Sequence, residues 1–123
     1  MRKQYHFWPS ARGLLAWDVH RLIELSQDLP HRRIAVSQIS EIDEVYWFDG
    51  DRERPTCRKV LLHMKLIQEV DPSFPIILAA DGRVMDGMHR VARALLKGRE
   101  EIDAVQFERT PDYVDCNPGD LPY

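Results

Sequence analysis

Apolar residues fall along this chain in short clusters whose spacing switches between sheet-like and helix-like periods. Ile76-Ile77-Leu78-Ala79 and Arg83-Val84-Met85 read as two short strands around Asp81-Gly82. That dipeptide predicts a two-residue type I′ turn, which needs positive φ at both central residues. Gly87 lets the backbone turn sharply, and from Met88 the pattern becomes helical, with Val91, Ala92, Leu95 and Leu96 on one face. Gly98 is placed to end that helix at C′. A last strand is expected over Ile102 to Phe107.

Upstream, Asp18 is a candidate N-cap for a helix in which Val19, Leu22, Ile23 and Ser26 share a side, ending before Pro30. Ile34-Ala35-Val36 is a short strand, followed by Ser37 to Glu44 with apolar Ile39 and Ile42, and then Val45. Thr56 is the N-cap of the clearest helix. Its broad stripe of Val60, Leu61, Leu62, Met64, Leu66 and Ile67 lies opposite Arg58, Lys59, Lys65 and Glu69, and Asp71-Pro72 ends it. Residues 1–17, with Tyr5, Phe7, Trp8 and Pro9, read as an irregular N-terminal arm; 110–123, with Pro111, Pro118 and Pro122, read as an extended or mobile tail. The expected fold is one α+β domain over 1–123, with a small mixed sheet and about three helices.

Composition narrows the function classes. A formal net charge of −3 argues against a protein that coats nucleic acid generally. No apolar run approaches the roughly 20 residues of a membrane span, and the N-terminus lacks the apolar core of a signal peptide. Cys57 and Cys116 have no partner motif, which fits plain thiols and a cytoplasmic address. No His or Cys spacing suggests a metal site. His20 and His63 read as surface or interface residues on helices. The oligomeric state stays open, a homodimer included.

The chemistry concentrates at Gly87-Met88-His89-Arg90. Free amides at a helix N-terminus attract anions, and phosphate is the commonest biological one. Arg90 adds a bidentate donor, His89 a hydrogen bond or a proton, and Arg93 extends the basic face one turn on. Short glycine motifs recur by chance, so spacing alone favours a turn glycine and a solvated helix face. Asp86 reads as a ligand to a ribose hydroxyl or a metal-bound water, or as a brace for the turn. Tyr46-Trp47-Phe48 reads as core packing, with a base-stacking wall as the other reading.

Residues Pro75 to Phe107 resemble the core of the ParB/sulfiredoxin superfamily. The shared pattern is Pro-Ile-Ile-Leu, the turn, Asp-Gly-Met-His-Arg-Val-Ala opening a helix, a helix-ending Gly98 and Ile-Asp-Ala-Val-Gln-Phe. Ile34 to Ile39 resembles the family's first strand, so the resemblance covers roughly 34–107. It implies a nucleotide-phosphate site at Gly87 to Arg90, as in ParB clamps that use CTP, sulfiredoxin that uses ATP, and a free-serine kinase that uses ADP or ATP. Met88 stands where sulfiredoxin carries its reactive cysteine, and a thioether cannot attack as a thiolate. Only 108–123 follow the core, which leaves out the further domains of a partitioning ParB. The kinase-like branch has the form Asp-Gly-x-His-Arg, matched by Asp86 to Arg90, and an acid after the first strand as base for a hydroxyl. Glu44, then Asp43, fall at that distance; otherwise Glu41, Asp43 and Glu44 are a solvated acidic stretch. The expected function is a nucleotide-phosphate-binding domain. If it turns over, Glu44, Asp43 and His89 would act in phosphoryl transfer or nucleotide hydrolysis on a nucleoside di- or triphosphate with Mg²⁺. The alternative is a non-catalytic binding module for a protein or nucleic-acid partner.

Overall fold

The computed structural model describes residues 5–10, 13–48, 54–111 and 114–115. In chain order its elements are β1 (Tyr5–Ser10), β2 (Gly13–Asp18), α1 (Val19–Ser26), β3 (Arg32–Ala35), α2 (Cys57–Glu69), β4 (Ile76–Leu78), β5 (Val84–Asp86), α3 (Met88–Leu96), β6 (Glu101–Gln106) and β7 (Val114–Asp115). Two 3₁₀ turns, Val36–Gln38 and Ser40–Asp43, follow β3. The fold is α+β, with three helices among the described residues and a small mixed sheet of four strands in the order β3-β6-β4-β5. β4 and β6 run parallel, and the two outer pairings are antiparallel.

The central sheet is apolar on both faces, which is why its strands are continuous apolar runs rather than alternating ones. Successive side chains point to opposite faces. Ile76, Leu78, Val84 and Ala104 therefore pack with Ile34, Val36 and Ile39 under Met88, Val91 and Ala94 of α3. Ile77, Ala79, Met85 and Val105 face the other way, against Trp17, Leu22 and Phe107. Asp18 caps α1 by accepting from the His20 amide at 3.0 Å, and Thr56 caps α2 by accepting from the Lys59 amide at 3.2 Å. α3 ends as expected: Gly98 takes φ +70°, its amide donates to Leu95 O, and the Arg99 amide donates to Ala94 O.

Four expectations are corrected. Within the expected irregular arm, β1 and β2 form an antiparallel hairpin, extended by β7 from the tail. β1 holds Pro9 because it is an edge strand, where a missing amide is tolerated. Asp81-Gly82 does not form a type I′ turn. Gly82 takes φ +91° but no described non-glycine residue has positive φ; the Gly82 amide donates to Ala79 O and the Ala79 amide to Arg83 O. The loop is a three-residue turn with one left-handed glycine. Asp81 helps hold it by accepting from the Arg83 amide at 3.0 Å. On α3 the buried position is Ala94, whereas Leu95 and Leu96 are more than half exposed. On α2 only Ile67 is buried, because that helix touches the molecule along one edge, chiefly against α3.

Candidate functional site

Gly87 starts α3 with φ +104°. A Cβ at this position would lie 2.8 Å from Ile76 Cγ2 and 2.8 Å from Arg90 Nη2, so shape as well as dihedral calls for glycine. No side chain caps the helix start. The side chains of the expected cradle then diverge. Met88 enters the core, His89 turns toward α2, and Arg90 folds back onto Asp86. Arg90 Nη2 donates to Asp86 Oδ2 at 2.8 Å and to Pro75 O at 3.2 Å, while its Nε is buried with no hydrogen-bond partner. Asp86 is thus the counter-ion of Arg90.

His89 meets a residue that spacing did not single out. Its Nε2 lies 2.9 Å from His63 Nδ1, so α2 and α3 are joined by an imidazole–imidazole hydrogen bond. The ring centroids are 5.2 Å apart and the planes 15° off parallel, an edge-on contact between nearly coplanar rings. Trp47 stacks on both rings at 4.6 Å. Burial, then His63, then Arg90 push the His89 pKa down to about 4, so at neutral pH it carries no charge. His63 was hidden because its partner is 26 residues away on another helix.

The acids separate likewise. Asp43 is exposed, and Glu44 is exposed with its Oε1 accepting from Arg83 Nη2 at 3.2 Å. The buried acid is Glu41, 2% exposed, whose Oε2 accepts from the Val84 amide. Tyr46 Oη donates to Val84 O at 3.3 Å. Glu41 and Tyr46 together satisfy the outward backbone groups of an edge strand, which explains both positions. Burial first, then Glu41 and Asp86, push the Tyr46 pKa strongly up and keep the phenol neutral. Glu41, Glu44, Tyr46, Trp47, Phe48, Met88 and Ala92 contribute to the lining of a cavity of about 450 Å³.

A second cleft, about 310 Å³, is strongly basic. Arg33 of β3, Arg90 and Arg93 of α3, its C-cap Lys97, and Arg99 line it, against Glu101 and Asp103 among the described residues. Arg93 is partly committed, since its Nη1 donates to Ile67 O and Gln68 O at the end of α2. Asp103 faces His31 Nδ1 at 2.9 Å. At roughly 100° per residue, Arg90, Arg93 and Lys97 lie across the α3 axis from Met88 and Ala92. The acidic and basic cavities therefore sit on opposite sides of one helix. Among the described residues no group of three or more His, Cys, Asp or Glu could hold a metal ion, and no helix is long and apolar enough to cross a membrane. No family model matches the chain, and neither a curated protein nor a solved structure matches it.

Proposed function

We propose that this protein is a nucleotide-phosphate-binding domain whose phosphate site is the basic cleft along α3, acting as a binding module. The carrying observation is charge segregation: among the described residues, five cationic side chains against two carboxylates line one cleft of a chain whose net charge is −3. Arg33, Lys97 and Arg99 make no ion pair among the described residues, so their donors are available to phosphate oxygens. The resemblance at Asp86 to Ala92 supports a nucleotide as the phosphate carrier, with Mg²⁺ travelling on the phosphates. Glu44 lines the cavity across α3 from this cleft, and His89 is neutral and turned toward α2, so neither is set to attack a phosphate held there.

A thermal-shift panel of ATP, ADP, CTP and GTP, with and without Mg²⁺, tests this reading. A ligand at one hundred times its Kd adds about 2.7 kcal/mol of stability, a shift on the order of 10 °C for a domain of this size. The shift should disappear in Arg33→Ala/Lys97→Ala. No shift with any nucleotide would sink the proposal. Nucleotide turnover that Glu44→Gln abolishes would replace the binding module with a phosphotransferase or nucleotidase.

A further inference from the structure

We propose that the cavity between the Ser40–Asp43 turn and α3 is a separate ligand site, taking an apolar organic cation whose head group carries N–H donors. The argument does not depend on the nucleotide reading. The cavity, about 450 Å³, is of a size that holds small molecules. Its walls combine aromatic rings, Met88 and Ala92 with two carboxylates, and among the described residues no cationic side chain lines it.

Glu41 decides the ligand's chemistry. A carboxylate offers about four acceptor sites. One oxygen of Glu41 holds the Val84 amide, and among the described residues the other has the Ser40 hydroxyl at 3.4 Å alone. No cation pairs with it among the described residues, although it is 98% buried. A buried carboxylate with acceptor capacity to spare is stabilised by further N–H donors, and most by charged ones. At the rim, Glu44 is offset by Arg83, which pairs with it at 3.2 Å. Aromatic faces add attraction for a cation and none for an anion. The same features disfavour a phosphate in this cavity.

Benzamidine and phenethylamine are the probes, with benzoate and phenyltrimethylammonium as controls that lack the charge or the N–H donors. The readout is the backbone amide shifts of Val84 and Ala92. Both amines should give saturable shifts. Binding should weaken at least tenfold for phenyltrimethylammonium and vanish for benzoate. Ala92→Trp fills the cavity and should abolish the shifts; Glu41→Gln should weaken binding at least tenfold with the helical signal retained. Should Glu41→Gln fail to fold, Ala92→Trp and the two control ligands decide. Absence of a saturable shift with either amine, an equal response to benzoate, or shifts that survive Ala92→Trp each overturn the proposal.

Discussion

Two left-handed glycines bracket α3, and the same added methyl should affect them differently. Gly87→Ala places Cβ 2.8 Å from Ile76 and from the Arg90 guanidinium, at φ +104°. Gly98→Ala, at φ +70°, meets nothing within 4 Å. Urea titration should show a loss of about 1 kcal/mol at Gly98, from the dihedral alone, and at least about 2–3 kcal/mol at Gly87. Titration separates His89 in a similar way. Its pKa falls from 6.5 unfolded to about 4 folded, so the folded state prefers the neutral ring. The unfolded chain binds the proton first, hence stability is complete above pH 6.5 and declines as pH falls through 4. With the partly solvated ring discounted, the loss is on the order of 2 kcal/mol. His89→Gln, which cannot titrate, should flatten the decline in unfolding free energy between pH 6.5 and 4.5.

At the scale of elements, α3 shows what spacing can and cannot place. Val91 is fully buried under the sheet, so Val91→Ala should cost about 2–3 kcal/mol in chemical denaturation. Leu96→Ala, at a position 56% exposed, should cost under about 0.5 kcal/mol. A helical wheel alone puts both on the apolar face; the sheet settles the matter, because it touches the helix along Met88, Val91 and Ala94. The caps at Asp18, Thr56 and Gly98 were legible because each is satisfied within its own turn. The continuous run Ile76 to Ala79 was legible as a strand because burial on both faces requires it. The His63–His89 pair, the Glu41 brace on Val84 and the Arg33 wall of the cleft were not, since each joins residues at least 26 positions apart or lies between elements. Glu41 was hidden further by its 3₁₀ setting between Ile39 and Ile42, where an acidic stretch reads as solvated.

Across the whole molecule, α3 separates two electrostatic environments, and salt should distinguish them. The cations of the basic cleft include exposed Arg33, Lys97 and Arg99, whose interactions with the proposed phosphate would be open to solvent and salt. Such interactions are screened over about 10 Å at 0.1 M salt and about 3 Å at 1 M. Glu41 lies in the buried wall of the opposite cavity, where ions do not come between the partners and screening is weaker. Raising salt from 0.05 to 0.5 M should therefore weaken ATP binding at least tenfold by isothermal calorimetry, while benzamidine affinity changes less than threefold. Lys97→Glu should reduce ATP affinity and flatten its salt dependence. That reversal lies at the exposed C-cap of α3, so it should leave benzamidine binding and the fold in place. Equal salt sensitivity of the two ligands would mean that they share one surface site, and the division of labour across α3 would be wrong.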